Sequence, residues 1–181
     1  MASIAPVLTY FFAVGSVLLL LLVFLTLVSR AATGQFVPRS VAPLLHRIAF
    51  PLAAAFAVCG SLMSLYYSEI VGYAPCVLCW FGRTMMYPLA LILVVAVVRR
   101  DKAVWPYGLA LAFGGMVVTG YHHLYQIGAL RGTLCTALQN GGDCAKRYVY
   151  EFDMVTLPLM GFAMFASVAL LVWIARHERT A

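Results

Sequence analysis

Charge is scarce in this 181-residue chain: only 10% of its residues are Asp, Glu, Lys or Arg, against roughly 25% in an ordinary soluble domain. With 64% of residues hydrophobic, a water-facing surface cannot be assembled, so lipid must be the solvent for most of the chain. Acidic groups are the scarcest, six against twelve basic ones, leaving a net charge of +6. The basic residues form no dense run or stripe, so they do not point to nucleic acid and we expect no such partner. Internal repeats and low-complexity tracts are absent, and no stretch reads as a separate soluble domain.

Long apolar runs are what the chain has in abundance. A spanning helix needs roughly 20 mostly apolar residues, and five stretches qualify, at about 5–28, 48–67, 79–98, 104–126 and 154–175. The first has no basic residue before it and is longer than the apolar core of a signal peptide. We therefore expect a retained span, and an all-α integral membrane protein.

Basic residues set the orientation. Arg30, Arg39 and Arg47 lie between spans one and two, Arg99, Arg100 and Lys102 between three and four, and Arg176 and Arg179 after five. The opposite loops hold Arg131, Lys146 and Arg147, and the segment from Ser68 to Leu78 holds none. The bias predicts an extracytoplasmic N-terminus and a cytoplasmic C-terminus. Both cysteine pairs, Cys76 with Cys79 and Cys135 with Cys144, then face the extracytoplasmic side, where disulfides persist.

Cys76-Val77-Leu78-Cys79-Trp80 is a C-x-x-C at the start of a span, preceded by Pro75. Proline suits a helix start, and helix N-terminal amides favour a thiolate. Arg83 follows Cys79 by four residues, on the same helix face and about 6 Å deeper. An interfacial arginine can simply snorkel to the headgroups; alternatively it is a cation beside a redox site. A zinc site usually has two short-spaced pairs, whereas Cys135 and Cys144 are nine positions apart, so we expect no metal. That second pair brackets a polar loop with Gly141-Gly142 and reads either as a loop staple or as a labile, mobile redox pair. Cys59 falls among small apolar residues of span two and reads as packing. Near the end of span four, His122 and Gln126 share a face at a depth close to that of Arg83. Polar groups in a span commonly mark a site, and the three offer hydrogen bonds to the carbonyl oxygens of a quinone. Tyr121 and Tyr125 read as interfacial residues, His123 as packing, and Thr156-Leu157-Pro158 as a helix start.

Together these residues resemble the DsbB family of disulfide-bond-formation proteins. The resemblance covers about Ser64 to Phe162. It rests on Ser68-Glu69 before Cys-x-x-Cys-Trp, on Arg83, on Tyr121-His122 with Gln126 nine residues before Cys135, and on Gly142-Asp143-Cys144-Ala145, Arg147 and Thr156-Leu157-Pro158. It implies a four-helix membrane bundle over 48–181, preceded here by an extra N-terminal transmembrane helix and cytoplasmic loop over 1–47. It also implies a multi-pass protein of the bacterial plasma membrane that oxidises a DsbA-like thioredoxin-fold partner and reduces a quinone, ubiquinone or menaquinone. By position, Cys135 resembles the cysteine that joins the partner, Cys144 the one that then pairs with Cys76, and Cys79 the one that engages the quinone beside Arg83. A membrane-lying helix that some members carry between the second pair is expected to be missing, because that segment is short. Two other readings remain: an oxidoreductase resembling vitamin K epoxide reductase, and a scaffold whose disulfides only staple loops.

Overall fold

The computed structural model describes residues 5–34, 42–130 and 143–176. Cys135, Arg39, Arg131 and Arg179 lie outside the described residues, as does the segment expected to be without a membrane-lying helix. Five helices carry the architecture: α1 (Ala5–Thr33), α2 (Ala42–Leu65), α3 (Val77–Arg99), α4 (Trp105–Gln126) and α5 (Leu157–Arg176). All five are long and apolar enough to cross a membrane, as the sequence predicts. There is no strand among the described residues, only an isolated bridge between Glu151 and Val155.

Local chemistry explains the boundaries. α3 begins with Cys76 as its N-cap and stops at Arg100, whose left-handed backbone (φ 54°) lets its N–H reach the Ala96 and Val97 carbonyls. Asp101 then accepts from the Ala103 amide at 2.8 Å, starting the short 3-10 turn Lys102–Val104 that leads into α4. Thr156 opens α5, its Oγ1 accepting from the Leu159 amide at 3.4 Å. α2 passes directly into a π-helical turn, Tyr66–Ile70. Such widened turns occur often at functional sites.

α2, α3, α4 and α5 form a closed ring in which each helix packs on the next, α5 returning to α2. Its core is apolar: Ala53 and Ala57 from α2, Leu89 and Leu93 from α3, Phe165, Val168 and Val172 from α5 are all essentially inaccessible. Gly115 on α4 faces the Phe165 ring so closely that a Cβ there would collide with it. α1 lies outside the ring against α5. Its most apolar stretch is 11% buried, against 61% for α5, so lipid solvates most of it. Two contacts pin its first turns: Thr9 Oγ1 to the Tyr67 hydroxyl, 2.9 Å, and Tyr10 against the Phe152 ring, 5.5 Å between centroids.

Candidate functional site

The site lies at the end of the ring where α2 and α4 finish and α3 and α5 begin. Cys76, as N-cap, has an extended backbone, and its sulfur accepts from the Cys79 amide at 3.4 Å. That geometry folds the side chain back over the first turn and brings the two sulfurs to 3.0 Å. Both cysteines are free thiols, while Cys144 is disulfide-bonded. The hydrogen bond to Cys79, together with burial, pushes the Cys76 thiol up to about 12. Cys76 therefore keeps its proton when the pair is reduced.

The Cys144 segment is seated directly on this pair. Cys76, Leu78 and Cys144 form a small buried cluster, with Cys79, Tyr121 and Tyr125 packed around it. The two tyrosines, read from sequence as interfacial, thus wrap the sulfur cluster. His122 joins the parts: its Nε2 is 3.1 Å from the Cys144 carbonyl and 3.7 Å from the Cys76 sulfur. Gln126 donates through Nε2 to the carbonyls of Cys144 and Lys146, at 3.2 and 3.1 Å. The same loop is clamped from its other side by stacked tyrosines, Tyr148 on Tyr73 at 4.5 Å and Tyr73 on Tyr67 at 5.7 Å.

Arg83 is buried one turn below Cys79. Its Nε donates to the Ser64 hydroxyl and its Nη2 to the Ser64 carbonyl, both at 3.0 Å, just before the π-helical turn. The guanidinium also lies 5.2 Å from the Trp80 ring. These partners are neutral, so they position the cation without cancelling its charge. An arginine at the centre of a span costs roughly 2.5–3.5 kcal/mol on insertion scales and less toward the interface, so a buried Arg83 near the outer end of α3 carries a smaller cost that a polar ligand could offset.

A cavity of about 600 Å³ opens beside Cys79 and Arg83, well inside the roughly 300–1,000 Å³ range of small-molecule sites. It runs down between α1, α2 and α5 and is overwhelmingly apolar, with Cys79, Arg83, Ser64 and His122 near its outer end. Its lining is apolar along most of its length, with its polar groups gathered at one end. A second hollow of about 30 Å³ lies on the other side of the pair, lined by Cys76, Gln126 and Lys146. Cys79 and His122 are among the residues that line both. Arg83 and His122 therefore face the large cavity; Gln126 is not among the described residues that line it. Cys59, read from sequence as packing, is exposed and borders that cavity.

Cys76, Cys79 and His122 also offer three metal-ligand atoms within 4.8 Å of one another. Two thiolates on tetrahedral zinc would stand about 3.8 Å apart, given bonds of about 2.3 Å. The 3.0 Å separation fits instead a pair poised for a disulfide. The His122 nitrogen, moreover, is shared with the Cys144 carbonyl.

Several contributors carried no clear mark in the sequence. Ser64 could have been found as a polar residue in a span at the level of Arg83. The Tyr67–Tyr73–Tyr148 stack joins three distant positions and leaves no local pattern.

A protein-family model described as "Disulfide bond formation protein DsbB" matches residues 46–176. The chain is 35% identical over 124 residues to a "Probable disulfide formation protein" of Metapseudomonas resinovorans, covering 68% of this chain and 86% of that one. It is 35% identical over 109 residues to the "SPbeta prophage-derived disulfide bond formation protein B" of Bacillus subtilis (strain 168), covering 60% and 72%. Against the "Disulfide bond formation protein C" of the same strain, identity is 32% over 137 residues, covering 75% and 98%. No solved structure matches the chain.

Proposed function

Because this chain belongs to the DsbB family of disulfide bond formation proteins, we propose that it reoxidises an extracytoplasmic DsbA-like thioredoxin-fold protein and passes the electrons to a membrane quinone. Family membership makes it a multi-pass membrane thiol oxidoreductase; the electron path, the acceptor and the orientation are our reading. The observation that carries it is the sulfur arrangement. Cys76 packs with Cys144 and has the Cys79 sulfur at 3.0 Å, and Cys79 borders the cavity.

The partner's first thiolate attacks Cys135 of a Cys135–Cys144 disulfide and releases Cys144 as a thiolate. The partner's second thiol then attacks the mixed disulfide, leaves oxidised and frees Cys135. Cys144 attacks Cys76 of a Cys76–Cys79 disulfide and expels Cys79 as a thiolate. Attack of Cys135 on Cys144 releases Cys76 and restores the second bridge. Two electrons now reside on the first pair, and a bound quinone supplies the sink for them and for two protons. The net exchange is two partner thiols and one quinone for one partner disulfide and one quinol.

Each side chain has a defined task in this path. His122 and Gln126 hold the Cys144 carbonyl so that its sulfur meets Cys76. Arg83 stabilises negative charge at Cys79 and meets an oxygen of the ring, with His122 on the same wall of the cavity. The basic-residue bias supports an extracytoplasmic location for these sulfurs. The test is Cys135→Ser: partner oxidation stops, while added quinone still oxidises the Cys76–Cys79 pair. Equal loss of both activities would overturn the division of labour.

A further inference from the structure

We infer that α1 is the lipid-side wall of the quinone slot and holds the carrier's apolar tail. This rests on the quinone reading above and adds a binding surface to it. The family-matched part of the chain begins at residue 46, so α1 lies wholly outside it. Yet Phe11, Phe12, Gly15, Ser16, Leu19 and Leu22 of α1 all border the cavity that contains Cys79 and Arg83. They recur every three to four positions, so they form one continuous face. From Phe11 to Leu22 that face extends about 16 Å along the helix. The Ser16 hydroxyl is tied to the Phe12 carbonyl at 2.7 Å, which leaves the face apolar toward the slot.

The opposite wall runs in parallel: Phe56, Gly60 and Met63 of α2 and Met164 and Phe165 of α5 descend from the Ser64–Arg83 level. The slot thus has a polar outer end and an apolar shaft with α1 along one side. A quinone ring at Cys79 would send its tail down that shaft. The pinning contacts of α1, Thr9 to Tyr67 and Tyr10 to Phe152, lie at the outer end. They fix the wall beside the ring while the rest of α1 stays solvated by lipid.

Gly15 gives a direct test, because a Cβ there would meet nothing within 4 Å. Gly15→Phe fills the shaft and, as a glycine removed from a helix interior, favours the helix locally. Val17 is largely exposed and does not border the cavity, so Val17→Phe is the lipid-facing control. Full-length protein is assayed with one dithiol partner and two acceptors, a quinone with a ten-carbon tail and a tailless benzoquinone. In Gly15→Phe the KM for the tailed quinone rises roughly tenfold, the loss expected when about two buried methylenes are displaced. The KM for the tailless ring and for the partner stays within about twofold, and Val17→Phe matches the native protein. An unchanged KM for the tailed quinone, or an equal rise for both acceptors, would overturn the inference. If Gly15→Phe does not fold, Leu19→Ala carries the test, with a rise of about threefold confined to the tailed quinone. A native protein that reduces neither acceptor would instead overturn the quinone reading itself, an outcome distinct from those.

Discussion

The two ends of the bundle are held together by different forces. At the end remote from the cysteines, helices meet through an apolar core of Leu93, Val172 and alanines, closed by Arg176 over the rings of Trp105 and Trp173 at 4.3 and 4.9 Å. At the cysteine end, contacts are polar and long-range in sequence: Arg83 on Ser64, His122 and Gln126 on Cys144, Tyr148 on Tyr73. Packing interactions are non-directional and sum into stability, whereas each hydrogen bond fixes one group in one place. The remote half is therefore a scaffold, and the cysteine half is a device for placing sulfurs. Substitutions should separate accordingly: the first half changes melting, the second changes rates.

The largest expected effect is on the reactivity of Cys76. With its thiol pushed up to about 12, the protonated form persists throughout the neutral range. Alkylation of Cys76 in the reduced protein should be on the order of a hundredfold slower at pH 8 than that of an ordinary thiol, after allowing for the greater nucleophilicity of a more basic thiolate. The rate should still be climbing at pH 10, toward about 12. Peptide mapping after timed alkylation reads this, and a profile that levels off near pH 9 would contradict it.

Next comes the scaffold. Gly115→Ala forces a methyl group against the Phe165 ring and should cost about 2 kcal/mol by overpacking. Thermal unfolding in detergent should shift downward. A native melting profile would place the close approach of α4 and α5 in doubt. Arg83→Ala should do the opposite, raising the apparent KM for quinone about tenfold through loss of a charged hydrogen bond with partner KM and melting little altered. Unchanged quinone kinetics would remove Arg83 from the ring-binding end. The smallest effect is expected at Gln126. Gln126→Leu removes the two donors that hold the loop carbonyls, each worth about 0.5 kcal/mol at the low end for such bonds. Exchange between the two cysteine pairs should slow several-fold while quinone KM is preserved, a contrast that stopped-flow thiol kinetics and steady-state assays read separately. A selective rise in quinone KM would return Gln126 to the ring.

The division between the halves also explains what the sequence made legible. Spans are read from apolar runs, so all five helices were expected close to where they lie. Cys76 at a helix start and Thr156 opening α5 follow from local capping rules, and both hold. Arg83, His122 and Gln126 stood out as polar groups in apolar surroundings, but their partners did not. The acceptors that fix His122 and Gln126 are main-chain carbonyls, which every residue carries, so no side-chain pattern announces them. The role of α1 was hidden for a similar reason: its cavity-facing residues are as apolar as its lipid-facing ones. Cys59 was misjudged because a small residue in a span can border a cavity as readily as a neighbouring helix.

The central claim is that Cys144 reaches Cys76, and a double variant tests it with least ambiguity. Cys79→Ser with Cys135→Ser leaves Cys76, Cys144 and Cys59 as the remaining cysteines, the last serving as an internal unpaired reference. After mild oxidation in membranes, mass mapping should find Cys76 and Cys144 joined in one disulfide and Cys59 alkylated. Recovery of Cys76 and Cys144 both as alkylated thiols would contradict the account.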